Sequence, residues 1–325
     1  MKIEMNVHEA NMLRWAGLHP EAVVLSADLG GSCEVKKFSQ TFPDRYFNLG
    51  LAEQNIVGWA SGFAREGLKP FIHTFAVFLY RRTLDQIEMS VAYPNLPVVF
   101  VTFCPGITTP GGVTHQATND VAVLRNIPNM TILEVGDATD IESALDAADA
   151  AGGPVYIRML RRDVPRLFPA EEPMILNRGR VVSEGTDIAV FSSGIFTIEA
   201  MYAVKALQDK GLSVQHMHIS TLKPFSDPAV LESLQKVKYG AITMENHTVI
   251  GGLGTCVAEV IAENGLGVKL RRVGLQDVYA HGSSKKYIMK KYNMNPEALI
   301  KAAEELTGKS FGIDEATLEE VKSSF

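Results

Sequence analysis

The stretch Arg45-Tyr-Phe-Asn-Leu-Gly-Leu-Ala-Glu-Gln-Asn-Ile-Val-Gly58 sets a single carboxylate, Glu53, in a largely apolar run between Gly50 and Gly58. Ionising an acid in such surroundings is costly, because burial disfavours the charged form and raises its pKa unless a partner compensates. Two readings are open. Ala52 can start a helix that carries Glu53 in its first turn, where the macrodipole favours an anion and the side chain reaches solvent. Alternatively, Glu53 is a buried acid that holds or shares a proton with a ligand. Residues outside the stretch must decide.

On either side, short β-rich apolar runs alternate with amphipathic segments. Val23–Leu25, Pro70–Ile72, Val98–Val101, Thr131–Leu133 and Val155–Ile157 have the continuous apolar character of strands buried on both faces. Ala52–Arg65, Tyr80–Ala92, Thr118–Arg125 and Thr139–Ala151 separate them as expected helices. A βαβ series of this kind predicts a parallel sheet between two helical layers. Over 167–185 the periodicity fails among prolines and charges, which reads as a linker. The alternation then resumes with strands at Ile188–Phe191, Val214–Ile219, Ala241–Met244 and Lys269–Val273, and it closes on helices near Ser283–Tyr292, Pro296–Leu306 and Asp314–Ser323. The expected fold class is therefore α/β, with two doubly wound domains of mainly parallel strands over residues 1–166 and 186–325.

The chain has 325 residues, 46% hydrophobic and 21% charged, which suffices for two full cores. A net charge of -6 offers no basic field for nucleic acid or anionic lipid. Cys33, Cys104 and Cys256 are few and scattered, so neither a disulfide framework nor a metal knuckle is indicated, and a reducing cytoplasmic setting is expected. The N-terminus lacks the pattern of a signal peptide, and the run Leu96–Phe103 is too short to span a bilayer, so no membrane role is expected.

In doubly wound sheets, ligands sit beyond the carboxyl ends of strands. The run Ser26-Ala-Asp28-Leu29-Gly-Gly-Ser32 follows the Val23–Leu25 strand, and Cys104-Pro-Gly-Ile-Thr-Thr-Pro-Gly-Gly-Val-Thr-His115-Gln116 follows the Val98–Val101 strand. Both are rich in glycine, which admits a ligand close to the backbone, and Asp28, Ser32, Thr114, His115 and Gln116 supply donors and acceptors. Phe75 and Phe78, after the Pro70–Ile72 strand, are either core residues or the walls of a slot for a flat heteroaromatic ring. Gly251-Gly-Leu-Gly254 lacks the third glycine and the downstream acid of a dinucleotide fingerprint and reads as a turn into a helix, while Asp137 or Thr139 is expected to cap the helix that follows Gly136.

Taken together and in order, Ser26-Ala-Asp28-Leu29, Phe47-Asn-Leu-Gly-Leu-Ala-Glu53-Gln-Asn, Thr74-Phe75-Ala-Val-Phe78, Thr114-His115-Gln116 and Asn126-Ile-Pro-Asn-Met130 resemble the pyrimidine-binding domain of transketolases. Thr221-Leu-Lys-Pro224 and Met244-Glu-Asn-His247-Thr-Val-Ile-Gly-Gly252 resemble the family's C-terminal domain. The resemblance implies an enzyme dependent on thiamine diphosphate that transfers a two-carbon ketol unit from a ketose phosphate to an aldose phosphate. It implies that Glu53 hydrogen-bonds N1′ of the cofactor's aminopyrimidine and supports the imino tautomer needed to deprotonate the thiazolium ring. It further implies that Phe75 and Phe78 line the aminopyrimidine slot, that Asp28 and Leu29 lie near the cofactor, and that His115 hydrogen-bonds the substrate.

Other family features are missing. Members hold the cofactor's diphosphate through Mg²⁺ with a Gly-Asp-Gly motif, and none occurs here. The resemblance therefore implies a split enzyme, in which an N-terminal subunit brings the diphosphate-binding domain and the Mg²⁺ ligands, and this chain forms a homodimer within a heterotetramer. The usual sugar-recognition residues are also altered: no Arg precedes Arg14, the strand end reads Phe103-Cys104, and Gly111 stands where an Asp is expected. Arg161 matches the remaining phosphate-binding Arg, with Arg158 and Arg162 as rivals, and Ser32 matches a phosphate-contacting Ser. An unusual or branched ketose would suit such a pocket. The alternatives are the β subunit of a 2-oxo acid dehydrogenase or of a deoxyxylulose-phosphate-synthase-like decarboxylating enzyme, and a non-catalytic assembly subunit.

Overall fold

A computed structural model describes Met1–Phe325. The chain begins with β1 (Lys2–Met5) and α1 (Val7–Leu18), followed by β2 (Ala22–Ser26), α2 (Lys36–Thr41), β3 (Tyr46–Asn48), α3 (Glu53–Arg65), β4 (Lys69–Phe75) and α4 (Ala76–Arg82). It continues through β5 (Val99–Phe103), α5 (Asp120–Arg125), β6 (Thr131–Glu134), α6 (Ala138–Ala151), β7 (Val155–Met159) and β8 (Asp163–Arg166). The second half contains β9 (Arg180–Ser183), β10 (Ile188–Ser192), α7 (Phe196–Asp209), β11 (Val214–His218), β12 (Thr221–Lys223), α8 (Pro228–Lys236), β13 (Gly240–Thr248), α9 (Leu253–Glu263) and β14 (Leu270–Leu275). Helices α10 (Lys285–Lys291), α11 (Pro296–Thr307) and α12 (Glu315–Ser323) complete it.

The apolar runs become strands because only a sheet covered on both faces can bury them whole: every residue of β2, β5, β7, β10 and β11 is buried. The first sheet has the order β12-β6-β7-β5-β4-β2-β3, parallel except for β12, and the second the order β14-β13-β10-β11-β9, parallel except for β9. In the first sheet, β2 passes to β3 on one side and the chain then returns to β4 on the other. That reversal makes the gap between β2 and β4 a topological switch point, where a crevice opens beyond the strand ends.

Strands β1, β3 and β8 and helices α1 and α2 lie outside the sequence reading, and three further segments depart from it. Residues 167–185, expected as a linker, contain β9, an edge strand antiparallel to β11 whose half-buried, charged sequence shows no apolar run. Strand β12, in the second half of the chain, pairs with β6 of the first sheet, so the two halves share a sheet edge. They also share a core: Val121, Leu124 and Ile127 pack in one cluster with Leu222, Leu253 and Val257. The single helix expected over Tyr80–Ala92 is broken, with α4 ending at Arg82 and a π-helical stretch at Gln86–Ala92. The buried Thr83 hydroxyl donates to the Leu79 carbonyl at 2.9 Å, and such back-bonding weakens a regular helical turn.

Candidate active site

Because β2, β4, β5 and β7 are parallel, their carboxyl ends lie along one edge of the sheet. Phe75 ends β4, and the segments after β2, β5 and β7 carry Asp28, His115 and Arg161 respectively. Glu53 reaches the same edge as the first residue of α3, after the short connection from β3.

Glu53 is 4% exposed, so the buried reading prevails over the solvent-facing one. Its compensation is a cation that the sequence reading did not find: Arg82 Nη1 donates to Glu53 Oε1 at 2.6 Å. Arg82 follows Phe78 by one helical turn in α4, which sets its guanidinium 4.4 Å from the Phe78 ring centroid. Gln54 Nε2 donates to the Arg82 carbonyl at 2.8 Å and ties the start of α3 to the end of α4. The i, i+4 spacing of Phe78 and Arg82 is visible in the sequence; the pairing with Glu53, across 29 residues, is not.

Phe75, the last residue of β4, and Phe78 in the first turn of α4 are both half-buried, with ring centroids 5.6 Å apart and planes inclined at 25°. His115 meets them edge-on, 5.4 Å from Phe78 and 6.5 Å from Phe75. Thr114 Oγ1 lies 2.9 Å from His115 Nδ1 and 3.3 Å from the Gly111 carbonyl. A hydroxyl has one proton; when it goes to Gly111, Oγ1 accepts from Nδ1–H and leaves His115 Nε2 as an acceptor.

Arg161 also meets Phe75, with its guanidinium carbon 5.1 Å from the ring centroid and Nη1 donating to the Ser32 carbonyl at 3.0 Å. Ser32 thus meets Arg161 through its backbone. Among the rival arginines, Arg158 is fully buried and paired with Asp120 and Glu134, which leaves it unavailable to a ligand, whereas Arg162 is exposed. Cys104, at positive φ where the chain leaves β5, is buried, and burial pushes its thiol up.

Asp28 and Leu29 are at the carboxyl end of β2. Asp28 is exposed, at φ +59°, and exchanges two hydrogen bonds with Asn48 of 3.0 and 3.1 Å, while Leu29 N donates to Ser26 Oγ at 3.2 Å. The hydrogen bonds of Asp28 therefore run to β3 and away from the aromatic cluster. No group of three or more His, Cys, Asp or Glu is arranged to hold a metal ion, and no helix is long and apolar enough to cross a membrane.

A buried carboxylate joined through Arg82 to a pair of aromatic rings on one strand-end edge can receive a flat, nitrogen-bearing heterocycle. Residues 6–166 match the model of the transketolase pyrimidine-binding domain and residues 177–299 that of the transketolase C-terminal domain. The chain belongs to the transketolase family, whose enzymes use thiamine diphosphate. It is 38% identical over 297 residues to a 6-deoxy-6-sulfo-D-fructose transketolase subunit, SqwH, of a Clostridium species, covering 91% of this chain and 92% of that protein. It is 31% identical to the 1-deoxy-D-xylulose-5-phosphate synthase of Symbiobacterium thermophilum, but spans only 45% of that enzyme's length. Among solved structures, a split-gene transketolase described as an inactive beta4 tetramer superposes with a TM-score of 0.85 at 34% identity, over 93% of this chain and 97% of the other.

Proposed function

We propose that this chain is the C-terminal subunit of a two-subunit transketolase, moving a two-carbon ketol unit from a ketose bearing a terminal anion to an aldose phosphate. The observation that carries the reading is the position of Glu53, a sheltered acid at the start of α3 on the same strand-end edge as Phe75, Phe78 and His115. Two relatives that match over nearly their whole lengths are a transketolase subunit and a split-gene transketolase, which supports the division into subunits. A partner would bring the diphosphate-binding domain and the Mg²⁺ ligands, joining two copies of this chain in a heterotetramer.

Thiamine diphosphate supplies the nucleophilic carbon and the electron sink of such a reaction. In this reading Glu53 holds a proton at the aminopyrimidine nitrogen, and Phe75 and Phe78 orient the ring. His115 offers Nε2 to a substrate hydroxyl. Arg161 meets the donor's terminal anion, since a planar fork of donors suits phosphate or sulfonate. Asp28 and Leu29 line the approach from β2.

Co-expression with a diphosphate-binding subunit, followed by a screen of ketose phosphates and 6-deoxy-6-sulfo-D-fructose for aldehyde-dependent two-carbon exchange, tests the proposal. Glu53→Ala is expected to lower turnover by about 10²–10⁴-fold while the fold, read by circular dichroism, survives. Retained activity would refute the role of Glu53. Release of CO₂ from pyruvate without ketol transfer would favour the decarboxylating class instead.

A further inference from the structure

We propose that Asn246, in the second half of the chain, is a positioning residue for His115. The inference rests on the reading of His115 given under Proposed function.

His115 is carried by an excursion that leaves β5 at Cys104 and returns at Ala117. Its stem is closed by the bridge between Pro105 and Ala117 and by Gly106 N donating to the Ala117 carbonyl at 2.8 Å. Asn246, fully buried near the end of β13, reaches across from the other half and uses both ends of its amide on this stem. Oδ1 accepts from Ile107 N at 2.9 Å, and Nδ2 donates to the Pro105 carbonyl at 3.0 Å. The Asn246 carbonyl accepts from Arg158 Nη2 at 2.9 Å, and the same nitrogen lies 3.3 Å from the Ala117 carbonyl, so the outgoing and returning arms are tied to one residue.

Gly106 records how close that approach is. It sits at φ +56°, and a Cβ there would lie 2.1 Å from Asn246 Oδ1 and 2.3 Å from the Asn246 carbonyl oxygen. At the far end of the excursion Gly282 fills the same role: a Cβ on it would fall 2.9 Å from the Pro110 carbonyl, and one on Gly112 would fall 3.1 Å from Gly282 N. Stem and tip of the excursion both lean on the second half of the chain. The geometry needs a side chain that offers one donor and one acceptor at fixed spacing, which an asparagine does and an aspartate or an aliphatic residue does not.

Two measurements test this. In the full chain, hydrogen exchange of the Ile107 amide reports the clamp without reference to any reaction. Asn246→Ala is expected to accelerate exchange by at least about tenfold. Asn246→Asp keeps the acceptor for Ile107 N–H but sets a second oxygen against the Pro105 carbonyl, so it is expected to accelerate exchange as well, and it serves if the alanine variant fails to fold. Unchanged exchange in either variant overturns the clamp.

In the assembled enzyme, Asn246→Ala is expected to lower kcat/KM for the ketose by about 10–100-fold through misplacement of His115, with thiamine diphosphate affinity unaltered. In a His115→Ala background the same change is expected to cost less than about twofold, because residues acting as one unit are not additive. Independent, multiplying losses would overturn the assignment. Should the wild-type complex turn over no ketose, the proposed function fails, and the exchange data still decide the clamp.

Discussion

Glu53 is held by an asymmetric pair: its own carboxylate is almost wholly sheltered, with 3% of the side chain exposed, while Arg82 keeps 47% of its side chain in solvent. Removing one partner of a pair leaves the sheltered charge uncompensated, and the loss is smaller when the other partner is wet. Arg82→Ala is therefore expected to destabilise the chain by about 1–2 kcal/mol, and Glu53→Gln to relieve most of that loss in the Arg82→Ala background, both measurable by urea unfolding. A loss from Arg82→Ala that Glu53→Gln does not relieve would mean that the pair is not the source. Glu53 itself was legible in the sequence because an acid in an apolar run demands an explanation. Arg82 and Asn246 were not, since their partners lie 29 and 139 residues away and no local pattern encodes such distances.

At the scale of elements, the strong apolar runs became strands and the amphipathic runs helices, because burial on two faces or on one stripe dictates those periods. What stayed hidden was β1, β3, β8, β9 and β12, three or four residues each, which carry no long apolar run of their own. The helix α6 shows a cap doing two jobs. Asp137 accepts from Asp140 N at 2.8 Å within the helix, and also from Leu167 N at 2.9 Å and Phe168 N at 3.0 Å in the segment that leaves β8. Asp137→Ala orphans all three donors and is expected to cost about 2–3 kcal/mol, more than an ordinary cap. Thermal unfolding checks this; a loss under about 1 kcal/mol would show that water replaces the carboxylate at no net cost.

Across the whole molecule, several histidines are buried and neutral. Burial pushes His73 and His247 down to about 4 and His216 to about 3. In the unfolded chain these rings titrate near about 6.5. Between that pH and 4 the unfolded state binds more protons, so stability falls as pH drops through this window. Glu245, which burial pushes up to about 7, acts in the opposite sense between 4.5 and 7, and burial also raises Glu34, Glu134 and Asp137, while a fourth buried histidine, His8, is lowered with the other three. The urea midpoint is expected to be lower at pH 5 than at pH 7, and His216→Asn to narrow the difference; a midpoint that rises on acidification would contradict the balance.

The same molecule-wide arrangement sets four parallel strand ends along one edge, with the second half of the chain bracing them, which is where doubly wound sheets receive ligands. The most direct test is a crystal structure of the chain assembled with its diphosphate-binding subunit and thiamine diphosphate, read at one distance. A Glu53 carboxylate oxygen within hydrogen-bonding reach of the aminopyrimidine N1′, about 2.6–3.2 Å, is the predicted result. A Glu53 side chain still directed at Arg82, with the cofactor ring bound elsewhere, would contradict the account.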